Sequence, residues 1–85
     1  MSDPSPVVVY WIDSREDGDW QTFENVTNNL KPATIITRGW LIDMDTDCVR
    51  VCRDWIEGEW SGGGFIAIST KDIIRVEHRH QTTRI

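Results

Sequence analysis

Residues 34–53 read Thr34-Ile-Ile-Thr-Arg-Gly-Trp-Leu-Ile-Asp-Met-Asp-Thr-Asp-Cys-Val-Arg-Val-Cys-Arg53 and predict the central hairpin of the fold. Both ends of this stretch are rich in β-branched and aromatic residues, which favour strands. Residues 43–47 between them are typical of a turn, because aspartate side chains stabilise local backbone bends. Gly39 lies in the middle of the first strand, where glycine usually marks a bulge or a sharp bend, so we expect this strand to curve there.

Three further strands are predicted on either side of this hairpin. Residues 7–12 read Val-Val-Val-Tyr-Trp-Ile and have the composition and length of a strand. Residues 65–69 and 73–78 are similar apolar runs, and residues 70–72 between them are predicted to form one tight turn.

One helix is predicted between the first strand and the central hairpin. Trp20, Phe23 and Leu30, together with Val26 or Thr27, recur at helical spacing. Asp19 is the expected N-cap, and Lys31-Pro32 is the expected end of the helix. The chain is therefore interpreted as an extended lead over residues 1–6, a single domain over 7–79 and a frayed tail over 80–85.

Composition and charge limit the classes of function. The 85 residues carry a formal net charge of −5, and residues 1–60 hold 12 acidic groups against 5 basic ones. Such an acidic surface repels phosphate backbones, so nucleic acid is a disfavoured partner. A chain this small buries a modest fraction of its surface, which makes a homo-oligomer plausible.

Targeting and redox signals indicate a cytoplasmic protein without a membrane anchor. No apolar run approaches the roughly 20 residues that a transmembrane helix needs, and the first residues lack the pattern of a signal peptide. Cys48 and Cys52 are four residues apart on a predicted strand, about 13 Å in extension, which is too far for a disulfide. Two free thiols are typical of a reducing compartment.

The predicted fold class is mainly β with one short helix, in the order strand, helix, three strands, 3₁₀ turn, strand. So many short strands in so short a chain favour a small, strongly bent five-stranded barrel over a two-sheet sandwich. The run Phe65-Ile-Ala-Ile-Ser-Thr-Lys-Asp-Ile-Ile-Arg-Val76 resembles the closing strand, single-turn helix and last strand of SH3-like and Sm-like barrels. The resemblance implies the fold; the Asp- and Gly-containing RNA motifs of Sm proteins are not evident, so RNA binding does not follow from it.

A second resemblance covers nearly the whole chain. Trp11-Ile-Asp13 followed by Trp20, then Gly39-Trp-Leu-Ile-Asp43, an acidic turn and an isoleucine-containing close around residues 68–74 resemble small uncharacterised proteins of tailed phages and prophages. This resemblance implies a phage origin and no established chemistry.

No catalytic, metal or cofactor site is predicted. Asp43, Asp45 and Asp47 alternate like a calcium loop, but Cys48 takes the place of the glycine that such a loop requires, so a hairpin turn is favoured. His78 and His80 could share a metal with a cysteine, yet the paired cysteine spacing of a zinc site is missing. The run Ser61-Gly-Gly-Gly64 lacks the lysine of a phosphate loop and is interpreted as a flexible connection. The protein is accordingly predicted not to be an enzyme.

The tryptophans are the unusual feature of the composition. Trp11, Trp20 and Trp40 lie in predicted elements and are expected to build the core. Trp55 and Trp60 lie in an acidic, glycine-bordered loop, where they either form a binding surface or cover a barrel mouth or an oligomer contact. The predicted binding residues are listed together as Trp55, Trp60, Arg53, Arg38, Trp40 and Lys71.

Two functions follow as hypotheses. The first is a phage-encoded accessory or counter-defence protein that binds and neutralises a host protein through the Trp55–Trp60 loop, its acidic body suiting a basic surface. The alternative is an oligomeric sponge that stacks a small nucleotide signal on tryptophan and holds its phosphates with Arg38, Arg53 or Lys71. An Sm-like RNA-binding ring is a weaker third hypothesis.

Overall fold

The computed structural model describes residues 3–79, which form a mainly β structure with one α-helix. Among these residues no helix is both long and apolar enough to cross a membrane. The elements are β1 Ser5–Asp13, α1 Phe23–Asn29, β2 Ala33–Met44, β3 Cys48–Cys52, β4 Asp54–Trp55, β5 Gly62–Gly63, β6 Ile66–Ser69, a 3₁₀ helix Thr70–Asp72 and β7 Ile73–His78.

Five strands form one antiparallel sheet in the order β6-β3-β2-β1-β7. The two edge strands, β6 and β7, are joined directly by the three-residue 3₁₀ helix. In a flat sheet they would lie roughly 19 Å apart, whereas three residues of 3₁₀ helix rise only about 6 Å. The sheet must therefore curl so that its edges approach at this end. Within residues 3–79 no ladder joins β6 to β7, so the architecture shown is a curled five-stranded sheet rather than a closed barrel.

Val8 and Cys52 are buried on one face of this sheet, and the main core cluster lies on the other face. Its fully buried side chains are Val7, Val9, Val49, Val51 and Ile68. They come from β1, β3 and β6 at alternate positions, which is the period that places side chains on one face. The half-buried side chains packed against them are Trp11, Leu41, Ile66, Ile73 and Val76.

Trp11 packs against the core, with its indole nitrogen hydrogen-bonded at the edge, as predicted. Its indole Nε1 donates a hydrogen bond to Thr37 Oγ1 at 2.9 Å, across the β1–β2 ladder. The polar end of the ring is thereby satisfied while its body packs on the buried valines.

Gly39 lies where the two central strands approach closely. It is paired in regular register with Val7, and the register shift in β2 lies between Leu41 and Asp43, which makes Ile42 the extra residue. A Cβ on Gly39 would lie 2.5 Å from the Cys52 carbonyl oxygen. The bulge of β2 is therefore not at Gly39, the curvature predicted there stays a prediction, and glycine is needed because β3 approaches β2 too closely for a side chain.

The helix is shorter than its spacing predicts and has another cap. It begins at Phe23, and Thr22 is its N-cap, with Thr22 Oγ1 accepting a hydrogen bond from the Asn25 amide at 3.1 Å. The predicted cap, Asp19, donates its own amide to Asp17 in a local turn. The prediction of Asp19 was wrong because Asp19 and Thr22 both have side chains that can cap a helix, and of these Thr22 directs its oxygen at the first helical turn.

Trp20 is the largest departure from the predicted core. Its side chain is 100% exposed, and the following helix buries no residue. Trp20 belongs to an excursion between β1 and β2 that does not fold onto the sheet, so its prediction as a core residue is wrong.

At the chain ends, β1 begins at Ser5, and Ser5 and Pro6 pair with β2, so the predicted lead of residues 1–6 is shorter than expected. The predicted tail over 80–85 lies outside the described residues.

Candidate functional site

The segment after β3, predicted to be a polar loop over residues 54–64 with a flexible connection at 61–64, forms a small hairpin of its own. Strands β4 and β5 pair through Asp54 with Gly63 and Trp55 with Gly62. The Ile56 amide donates to the Ser61 carbonyl at 2.9 Å and continues the pairing towards the turn. A Cβ on Gly62 would clash with the Asp54 carbonyl oxygen, so the pairing at this position requires glycine. Gly62 therefore permits the hairpin rather than loosening it.

The hairpin and the end of the sheet enclose a mainly apolar cleft of about 90 Å³. Trp55 and Trp60 both line it, Cys52 lies at its base as a buried residue, and Phe65 contributes an exposed ring. The remaining lining residues are Pro4, Ile42, Glu59, Ser61 and Gly62.

The structure therefore brings together the two tryptophans singled out in the sequence. Trp55 is half-buried, while Trp60 is 46% exposed and Phe65 66% exposed. Phe65 was missed as a site residue because it reads as the first residue of a strand. Its signal in the sequence is its place directly after three glycines, where no strand yet covers it.

The surroundings of the cleft are acidic. Residues 54–60 contain three acidic side chains and no basic one, and one of the three, Glu59, lines the cleft itself. Arg53 precedes the hairpin, and its Nε donates a hydrogen bond to Asp54 at 2.8 Å. This bond to Asp54 raises the pKa of the Arg53 guanidinium. Arg53 is thus engaged with Asp54 within the chain. The acidic surroundings of the cleft therefore favour a positively charged group from a binding partner.

The other predicted binding residues do not line the cleft. Trp40 pairs with Cys52 and is half-buried beside the cleft, without lining it. Arg38 is exposed on β2 opposite Val8. Lys71 lies in the 3₁₀ helix, which is bonded to the acidic turn by the amide of Thr70. That turn is at the opposite end of β3, roughly 13 Å from Cys52.

Cys52 does not have the character of a reactive thiol. Both cysteines are free, and burial raises the pKa of the Cys52 thiol. Nucleophilic and metal-binding cysteines act as thiolates, which a lowered pKa favours. Cys52 therefore contributes a neutral apolar surface to the lining of the cleft.

The acidic turn between β2 and β3 has the geometry of a hairpin turn. Asp45 Oδ1 accepts hydrogen bonds from the amides of Asp47 at 2.8 Å and Cys48 at 2.9 Å. These bonds lower the pKa of Asp45. Arg50 Nη1 lies 3.0 Å from Asp43 and 3.3 Å from Asp45 and offsets one of their two negative charges. The carboxylates of Asp43 and Asp45 are thus engaged in the hydrogen bonds and ion pairs of the turn.

The histidine and cysteine pattern is not assembled by the fold. His78 ends β7, while Cys48 and Cys52 lie on β3, with β1 and β2 between these strands. Three strand spacings separate them across the sheet, roughly 14 Å. His80 lies outside the described residues.

Comparison with protein-family models, with curated proteins and with solved structures finds no match to this chain. The function is therefore argued from the geometry and chemistry of its own residues.

Proposed function

We propose that this chain is a non-catalytic binding protein whose cleft takes a large apolar side chain from a basic surface of a protein partner. The observation that carries the proposal is the joint placement of Trp55 and Trp60 around an apolar cleft with an acidic rim. Tryptophan is enriched at the centres of protein interfaces, where a side chain is enclosed and desolvated. The acidic rim selects a partner with lysine or arginine around the inserted side chain.

The size of the cleft favours a side chain over a nucleotide. Sites for small molecules and cofactors occupy about 300–1,000 Å³. The cleft measures about 90 Å³, and its charged lining residue is Glu59. A nucleotide phosphate would meet this carboxylate and an Arg53 guanidinium already bonded to Asp54. The nucleotide-sponge hypothesis consequently has less support from the single chain and would need pockets completed by other copies.

The wider role stays a prediction from sequence resemblance. A phage-encoded accessory or counter-defence protein in the host cytoplasm, neutralising a host factor, is the context in which we place the cleft. For the fold, we keep an SH3-like or Sm-like barrel as part of the proposal. The curling of the sheet and the 3₁₀ connection between its edge strands support it.

The direct test is an NMR titration with short peptides of defined composition. One peptide has a single leucine or tryptophan flanked by lysines, and its control has glutamates in place of the lysines. We expect the lysine peptide to shift the amide signals of the β4–β5 hairpin and the glutamate peptide to leave them unchanged.

Matched variants make this test specific. Trp60→Ala removes a wall of the cleft, whereas Ile56→Ala removes a side chain of the same hairpin that is 54% exposed and does not line the cleft. Binding should be lost in the first variant and kept in the second. Equal binding by both variants would refute the assignment of the cleft. A tryptophan fluorescence response to cyclic dinucleotides or ADP-ribose derivatives would favour the sponge instead.

A further inference from the structure

The excursion between β1 and β2 presents large aromatic side chains to solvent. We call residues 14–32 the aromatic arm. Trp20 is 100% exposed and Phe23 90% exposed, and α1, the helix of the arm, buries no residue. A helix of seven residues is too short to be stable without packing. Side chains of this size in such a segment are typical of a surface that is covered by a partner.

The arm continues beyond the end of its own sheet. The β1–β2 ladder stays paired up to its final rung, Asp13 with Ala33, so the chain leaves and re-enters the sheet at its very end. The arm does not cover its own sheet, since Trp20 is 100% exposed and α1 buries no residue.

The outer face of the sheet carries a complementary surface close to the base of the arm. Tyr10, Ile12 and Ile36 share this face, because Tyr10 and Ile36 are directly paired and Ile12 follows Tyr10 by two residues. Ile12 is 46% and Ile36 55% exposed. Arg75 lies over the Tyr10 ring at 3.9 Å, and Arg38 follows Ile36 by two residues. We call these five residues the arginine-rimmed patch.

The charges of the two surfaces are opposite. The aromatic arm holds four acidic and two basic side chains, and all four acidic ones lie within residues 16–24, which contain both aromatic rings. The arginine-rimmed patch holds two arginines, with Glu77 the acidic neighbour of Arg75. Arms would repel each other, while an arm is attracted to a patch.

We infer that two copies of the chain associate by exchanging arms, each aromatic arm covering the arginine-rimmed patch of the other copy. The contact is isologous, so both arms and both patches are used at once. A buried Trp or Phe removes about 150–250 Å² from solvent. Two arms and the surfaces that they cover then reach the range of about 1,200–2,000 Å² that stable interfaces bury. This dimer is independent of the cleft formed by the β4–β5 hairpin.

The test is sedimentation equilibrium of four proteins over a range of concentrations. Wild type should show twice the monomer mass at high concentration. Trp20→Ser/Phe23→Ser in the arm and Ile36→Glu in the patch should each weaken dimerisation by about tenfold or more. Their altered residues are exposed, so circular dichroism and thermal unfolding should stay close to wild type. Trp60→Ala, which alters the cleft, should dimerise as wild type does.

Mixing the two defective proteins distinguishes this arrangement from others. The mixture restores one intact arm on one intact patch, so it should contain more heterodimer than either protein forms homodimer alone. A wild type that stays monomeric at all concentrations would overturn the inference, as would a patch variant that dimerises normally. A mixture without heterodimer would also contradict it.

Discussion

Replacement of Gly39 by alanine tests the close approach of the two central strands. The added Cβ would lie 2.5 Å from the Cys52 carbonyl oxygen and 2.5 Å from Val51 Cγ1. The first contact is with backbone, and the second is with a β-branched side chain in the buried core. Neither can move aside without disturbing the β2–β3 ladder or the valine packing.

The expected cost follows from this crowding. Overpacking of a well-packed interior costs about 1–3 kcal/mol, and contacts with backbone belong at the upper end. A chain of 85 residues has a total stability of about 4–13 kcal/mol at the usual value per residue. The substitution should therefore remove a large fraction of the free energy of unfolding, about 3 kcal/mol.

Urea denaturation followed by tryptophan fluorescence measures this loss. With an m-value of about 1 kcal/mol/M, typical of a small domain, the midpoint should fall by roughly 3 M. Gly18→Ala is the matched control, because no atom lies within 4 Å of its added Cβ. The control should be neutral or slightly stabilising. A Gly39→Ala protein within about 0.5 kcal/mol of wild type would show that the two strands separate easily and that the close approach is not required.

Three further outcomes are expected. Ile68→Ala should lower the free energy of unfolding by about 2–5 kcal/mol in the same assay, because Ile68 is 2% exposed. Ile74→Ala, at a residue that is 52% exposed, should lower it by less than about 1 kcal/mol. Equal losses in the two variants would contradict the position of the core. Gly62→Ala should disrupt the β4–β5 hairpin and abolish binding of the lysine peptide. Gly63→Ala, with no atom within 4 Å of the added Cβ, should still bind the peptide. Peptide binding by both variants would show that glycine is not required at position 62. The pKa of Asp45 is lowered in the folded chain, so its contribution to stability is present above the ordinary carboxyl pKa of about 4 and is lost as the pH falls through the lowered value. Thermal unfolding measured from pH 7 to pH 2 should therefore depend less on pH in Asp45→Asn than in wild type. Coincident pH profiles of the two proteins would refute this role.

The strands, the 3₁₀ turn and the acidic turn could be predicted because their causes are local. Residues 73–78 and 70–72 were predicted with the bounds that the structure has, and β2 begins at Ala33, one residue before the predicted hairpin. Alternation of apolar residues and short-range aspartate bonding need only a few neighbours along the chain. The same reasoning placed Trp11 correctly at the edge of the core.

The roles of the other aromatic residues depended on contacts distant in sequence. Trp20 has the helical spacing of a core residue, yet its segment leaves the sheet, so its exposure could be read only from the three-dimensional path of the chain. Similarly, the close strand approach at Gly39 involves Cys52, and the cleft joins Pro4, Ile42 and Phe65 to the tryptophan hairpin. The five strands of the main sheet follow from local sequence, since strand preference lies in each residue and its neighbours. Which apolar side chains are covered depends on the three-dimensional fold, because burial requires the curled sheet to bring distant segments together.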